Sequence, residues 1–149
     1  MIIWGNGIIP LFLKKLLYKV KLSKLFHARS LVENSLKHNA EKADLEISIA
    51  SKDVIELPQH LVKPMEARTS KMLARKKYLA IIYCDNGKGI PKNKKAWILQ
   101  PLTTTAEESK GTGLGLFIIR KTLREMRGYI IETGVKDARF EIYIPYEEI

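Results

Sequence analysis

The sequence predicts a layered α/β domain, and three stretches carry that expectation. Tyr78-Leu79-Ala80-Ile81-Ile82-Tyr83-Cys84 is rich in β-branched and aromatic residues, ends at a glycine turn, and reads as a buried strand. Leu116 to Arg127 repeats apolar residues at helical spacing directly after a second glycine turn. Tyr129 to Thr133 and Arg139 to Pro145 read as two closing strands. With 149 residues, 46% of them hydrophobic and 28% charged, the chain suffices for one domain with a real core and is not a disordered polymer.

Taken in order, residues 1–25 differ from the rest. Ile8-Ile9-Pro10-Leu11-Phe12-Leu13 is apolar, and lysines at 14, 15, 19, 21 and 24 come after it. The run is too short to span a bilayer, and its charges lie on the wrong side for a signal peptide. Leu11 to Leu25 fits a basic amphipathic helix, suited to an anionic membrane surface, to a partner, or to packing on its own domain. Residues 26–149 are expected to form the folded domain.

His27 to Ala40 reads as a helix. Ala28, Leu31, Val32, Ser35 and Leu36 fall on one arc, which would face a sheet, and Ser30, Asn34, Lys37, His38 and Glu41 fall opposite. An amide oxygen and an ammonium one turn apart can serve a magnesium–phosphate pair, the amide ligating the hard cation and the lysine neutralising phosphate oxygens. An ordinary solvated stripe has the same pattern. Leu45 to Ile49 alternates as a half-buried strand, and extended character continues to near Leu57. Pro58 and Pro64 break that extended character, and residues 58–77 read as an insertion whose latter half carries five Lys or Arg.

Asp85-Asn86-Gly87-Lys88-Gly89-Ile90 closes the strand over 78–84. A carboxylate at a strand end in a layered α/β domain is well placed to face a ligand. Gly111-Thr112-Gly113-Leu114-Gly115-Leu116 opens the next helix. The unpaired N–H groups and partial positive charge of a helix N-terminus suit a phosphate, and glycines there let the backbone come close. The residues thus suggest a carboxylate for a base and a glycine turn for phosphates. Between the turns, Thr103, Thr104, Thr105 and Lys110 offer hydroxyls and charge, either to phosphates or as a polar hinge. On the helix over 116–127, Ile118, Ile119, Thr122, Leu123 and Met126 share one face, and Gly128 is expected to end it.

Composition narrows the function classes. The lone Cys84 cannot form an internal disulfide and fits a reducing, cytoplasmic setting; inside an apolar strand it reads as core. His27, His38 and His60 are too scattered for a metal cluster, and no zinc-type spacing exists. A net charge of +10 and a pI near 9.7 would attract nucleic acid, anionic lipid or an acidic partner. No nucleic-acid motif accompanies that charge, so a solvated lysine-rich surface is the favoured explanation.

Asp85-x-Gly87-x-Gly89-Ile90 followed by Gly111-Thr112-Gly113-Leu114-Gly115-Leu116 resembles the G1 and G2 boxes of the GHKL superfamily, which holds gyrase-type topoisomerases, heat-shock chaperones, sensor histidine kinases and mismatch-repair ATPases. Asn34-Ser35-Leu36-Lys37-His38 resembles the N box of the histidine kinases, and Ile98-Leu99-Gln100-Pro101-Leu102 their F box, with leucines where phenylalanine is frequent. The resemblance covers residues 28–146. It implies a two-layer α/β sandwich of the Bergerat type, a mixed sheet with helices on one face, and a mobile lid over Pro91 to Lys110.

The resemblance also implies roles. Asp85 would hydrogen-bond the adenine amine of ATP, while Gly87, Gly89 and Ile90 shape the turn beside the base. Asn34 would hold magnesium, and Lys37, with His38 beside it, would face a phosphate. Thr105 and the turn from Gly111 to Leu116 would cradle the phosphate tail. The family's hydrolases carry a general-base glutamate four residues before the asparagine; here that position is Ser30, which cannot accept a proton from water as a carboxylate does. Hydrolysis is therefore not expected by that route, and a histidine-kinase-like phosphotransferase is favoured. The chain carries no histidine-bearing dimerisation helices, so the phospho-acceptor is expected on a partner that carries it or a sensor module. A nucleotide-gated interaction module with little turnover and a DNA-associated ATPase are the alternatives.

Overall fold

A computed structural model of the chain describes residues 2–4, 28–62, 77–103 and 113–146. In chain order they form β1 (Ile2–Trp4), α1 (Ala28–His38), β2 (Ile47–Val54), the single-turn α2 (Gln59–Val62), β3 (Lys77–Asp85), two 3-10 turns (Lys92–Lys94 and Trp97–Leu99), α3 (Gly115–Glu125), β4 (Tyr129–Glu132) and β5 (Ala138–Tyr146). The strands make one sheet in the order β1-β2-β3-β5-β4. β1 runs parallel to β2 and every other pair is antiparallel, so the sheet is mixed.

Strand alternation divides the side chains between two faces. Toward the helices, Leu31 of α1 and Ile119 and Leu123 of α3 pack on Ile47, Leu79, Tyr83, Phe140, Ile142 and Ile144. Each such large apolar side chain contributes about 1.5–3 kcal/mol when fully buried, so this layer fixes how α1 and α3 sit on the sheet. On the opposite face, Tyr78, Ala80 and Tyr143 are buried under Leu57 and Leu61. The start of the 58–77 stretch thus covers the sheet's outer face. Residues 63–76 lie outside the described residues, as does the basic stretch 11–25.

Four details differ from the sequence reading. The strand expected to run to near Leu57 ends at Val54, where the pairing of Ile47 to Val54 with Asp85 to Tyr78 stops. Leu36 is 55% exposed and Ile118 39% exposed, since each lies at the margin of its apolar arc and the helices turn Leu31 and Ile119 inward instead. The residue that ends α3 in the left-handed conformation is Arg127, at φ 59°, rather than Gly128. The N–H groups of Arg127 and Gly128 bond to the carbonyls of Arg124 and Leu123 at 2.9 and 2.7 Å, a Schellman closure displaced by one residue. Gly128 is needed for space, because a methyl group there would lie 2.6 Å from the Tyr143 carbonyl oxygen.

Candidate functional site

The three motifs meet around α1. Asp85 is the last residue of β3 and stands in the row Ile47–Asp85–Ala138 at the end of the sheet, on the face toward the helices. Its side chain is buried, with the residue 5% exposed. A carboxylate taken from water needs compensating donors, and two are present. The Gly87 N–H donates to Oδ1 at 2.9 Å, and the Ser35 hydroxyl of α1 donates to Oδ2. Ser35 Oγ also lies 2.8 Å from the hydroxyl of Tyr83, one row further into the sheet. Burial pushes the Tyr83 phenol up to about 12, with the Ser35 hydrogen bond opposing and the Asp85 charge reinforcing, so it holds its proton at neutral pH.

The turn after Asp85 is fastened on both sides. Asn86 accepts the Glu46 N–H at 2.8 Å and donates to the Asp44 carbonyl at 3.0 Å, tying it to the loop before β2. Asn39, just past α1, donates to the Ser35 carbonyl at 2.9 Å and accepts the Lys88 N–H at 3.0 Å. That bridge passes so close to Gly87 that a methyl group there would meet Asn39 Oδ1 at 2.3 Å. Gly89 adopts φ +67°, and a methyl group on it would lie 2.6 Å from the Lys136 carbonyl oxygen in the β4–β5 turn. Ile90 is half-buried against the main core. The turn is held from three sides at once.

The second glycine motif approaches from the other end of α1. Gly115, the first residue of α3, faces Ser30, whose Cβ would be 3.3 Å from an added methyl group. Gly113 is left-handed, at φ +64°, and packs against the backbone of Leu102 and Thr103. The Thr103 hydroxyl donates to the Gln100 carbonyl at 2.8 Å and lies 3.2 Å from the Ile98 carbonyl oxygen, closing the 98–103 segment on itself. Leu114 and Leu116 flank these positions, and Leu116 packs on the main core. Thr105, Gly111 and Thr112 lie outside the described residues.

Asn34, Lys37 and His38 are half-buried on α1, between the two glycine turns in the chain of contacts. His38 is lowered from its ordinary 6.5 by burial first and then by the Lys37 and Lys88 charges, with Asp85 opposing. The neighbourhood of the imidazole is therefore cationic on balance, which suits an anion. Glu33, the carboxylate adjacent to Asn34, is tied to Arg29 at 2.5 Å on the exposed side of the helix. Among the described residues no three His, Cys, Asp or Glu converge on a point.

Sequence reading misses Ser35, Tyr83 and Asn39. Ser35 and Tyr83 sit on apolar arcs and read as core, while Asn39 lies one residue beyond the motif. The inward position of Asp85 marks Ser35, because a buried carboxylate must find donors; Tyr83 and Asn39 bond to Ser35 and to the turn and carry no such mark.

These contacts agree with what the chain resembles. Residues 27–148 match the family described as histidine kinase-, DNA gyrase B- and HSP90-like ATPase. A stretch of 64 residues, 41% of this chain, is 39% identical to the sensor kinase CckA of Brucella abortus. Another of 52 residues, 35% of the chain, is 46% identical to the nitrogen regulation protein NtrY of Azorhizobium caulinodans. These matches span only 7% and 6% of the length of those curated relatives. Among solved structures, a mycobacterial sensor histidine kinase, MprB, aligns with a TM-score of 0.60 over 83% of this chain and 70% of that one; at 15% identity it speaks for the fold alone. The catalytic domain of the histidine kinase ThkA aligns with a TM-score of 0.55 at 26% identity, over 83% of this chain and 65% of that one. With a family match across most of its length, a sheet-and-helix layer shared with kinase domains, and the motifs gathered around one helix, the chain belongs to the histidine kinase-, DNA gyrase B- and HSP90-like ATPase family and has the ATP-binding domain fold of the histidine kinases.

Proposed function

We propose that this domain binds Mg-ATP and holds it for phosphoryl transfer to a residue on a partner protein. The observation that carries the proposal is Asp85, a buried carboxylate held by two donors at the strand end and joined through α1 to the glycine turn of α3. In this reading Asp85 accepts the adenine amine, with Gly87, Gly89 and Ile90 beside the base. Lys37, with His38 beside it, faces a phosphate, and the turn from Gly111 to Leu116, with Thr105, encloses the phosphate tail. Asn34 offers an amide oxygen to magnesium. With no carboxylate cluster among the described residues, the ion would draw its remaining ligands from phosphates and water, as magnesium commonly does. Bound magnesium would neutralise charge on the phosphates, and the chain's own contribution to transfer would be positioning and exclusion of water.

Two features favour transfer to a partner over hydrolysis. Ser30 occupies the position of a general base, and Glu33 is engaged by Arg29 on the exposed side of α1. Sensor kinases among the relatives suggest that the partner is a protein with a phospho-acceptor. Domain limits of 26–149 belong to the same proposal, with 1–25 and 58–77 as additions that lend Ile2–Trp4 and Leu61 to the sheet. Calorimetric titration with ATP, with and without magnesium, tests it. Binding strengthened by magnesium, with that gain lost in Asn34→Ala, supports the assignment. No ATP binding by the folded chain overturns it, and an equal loss for Asn34→Ala in EDTA removes the metal role of Asn34.

A further inference from the structure

Asp85 is not held by the backbone alone. Its Oδ2 takes a proton donated by Ser35, and a serine hydroxyl has only one proton to give. The 2.8 Å contact between Ser35 and Tyr83 must then run the other way, with the phenol donating and the serine oxygen accepting. Tyr83 is in turn fixed by its surroundings: its ring is buried against Phe140, with centroids 6.4 Å apart and planes inclined at 59°. Every hydroxyl proton in this group is therefore committed in the direction of Asp85.

We infer that Ser35 and Tyr83 are positioning residues for base selection, forming a one-way relay from Tyr83 through Ser35 to Asp85 that presents an acceptor to an exocyclic amine and leaves no hydroxyl to donate to a carbonyl in its place. The inference rests on the reading of Asp85 as the adenine acceptor and adds how that acceptor is oriented and why it discriminates. Gly87 N–H occupies Oδ1 and Ser35 occupies Oδ2, so the carboxylate is fixed at both oxygens, and each keeps a further lone pair able to accept. A 6-oxo purine meets oxygen against oxygen. A purine with hydrogen in place of the amine meets an acceptor without a donor.

Isothermal titration of the full chain with ATP, purine riboside triphosphate (which lacks the amine) and inosine triphosphate tests this directly. The wild-type chain should prefer ATP over purine riboside triphosphate by about ten-fold or more, the size of one hydrogen bond to a charged group. Ser35→Ala should cut that preference several-fold while leaving affinity for purine riboside triphosphate within about two-fold of wild type. Tyr83→Phe keeps the ring packing and should cut the preference in the same direction by a smaller factor; it carries the test if Ser35→Ala does not fold. Loss of affinity for all three nucleotides alike would point to a merely structural role and overturn the relay. A wild-type preference retained in both variants also overturns the relay but leaves Asp85 as the acceptor. A wild-type chain indifferent to the amine overturns the reading of Asp85 itself, and the relay with it.

Discussion

Lys95 offers a demanding test of how the segment after Ile90 is anchored to the end of the sheet. It lies between the two 3-10 turns that come after Ile90, and its ammonium is paired with Glu132 at the end of β4 and donates to the Gly134 carbonyl at 2.5 Å. Glu132 is fully buried, and its other oxygen accepts the N–H groups of Gly134 and Arg139 at 3.0 and 3.1 Å. Removing one partner of a buried pair costs about 3–5 kcal/mol, because the other charge is left uncompensated. Two features reduce that figure here. One oxygen of Glu132 keeps both backbone donors, and the Lys95 side chain is 22% exposed, so water can reach the vacated space. We expect Lys95→Met to lose about 2–3 kcal/mol. Adding Glu132→Gln should recover about 1–2 kcal/mol, since the amide still accepts from the two N–H groups, can donate toward the Gly134 carbonyl, and carries no charge. Urea denaturation at neutral pH reads both, provided the slope with denaturant stays constant. A single variant within about 0.5 kcal/mol of wild type, or a double variant less stable than the single, would refute the reasoning.

Three further outcomes are expected. Gly89→Ala should lose at least about 2 kcal/mol on the same assay, combining left-handed strain with a methyl group forced onto the Lys136 carbonyl oxygen. Arg127→Gly should gain about 1 kcal/mol, because the left-handed residue that closes α3 then carries no Cβ; an unchanged or lower midpoint would contradict the closure described. His38 should titrate below 6.5 by NMR, since burial, Lys37 and Lys88 all disfavour its charged form. The unfolded chain then takes up that proton first, so the contribution of His38 is present above pH 6.5 and is lost as pH falls toward its folded midpoint. His38→Gln should flatten stability against pH across that interval, and a midpoint at or above 6.5 would refute the placement.

The features legible in the sequence are those that depend on local spacing. The run 78–84 can be assigned as a strand, and Asp85 placed at its end, because β-branched residues, a carboxylate and two glycines succeed one another without help from elsewhere. α3 announces itself by period and by the glycines before it. Other features depend on partners far along the chain. Glu132 and Lys95 look like surface charges until the fold brings them together. β1 is three residues that pair with β2 across the whole of the N-terminal stretch, and nothing in Ile2-Ile3-Trp4 marks that pairing in advance. Glycine's preference for the left-handed region points to Gly128 as the end of α3, yet the tight contact with Tyr143 claims that glycine for space and passes the strain to Arg127.

The relay beneath Asp85 stands between these cases, because its logic is in the sequence although its geometry is not. Strand alternation puts Asp85 on the same face as Leu79, Ile81 and Tyr83, which is the face the core residues occupy. A carboxylate on that face must find donors among its neighbours, and over Asp85 the covering helix is one source of them. On the inner arc of α1, among Ala28, Leu31, Val32, Ser35 and Leu36, only Ser35 can donate from its side chain. Tyr83, two residues before Asp85 and on its side of the sheet, is the neighbouring hydroxyl able to supply the serine in turn. A polar residue on an apolar arc is usually read as tolerated filler. Opposite an inward-facing acid it is a requirement, and that pairing of one helix position with one strand position fixes the rotation of α1 over the site. The same constraint explains why Leu36 is left exposed: turning it inward would carry Ser35 away from Asp85 and leave the carboxylate with one donor fewer.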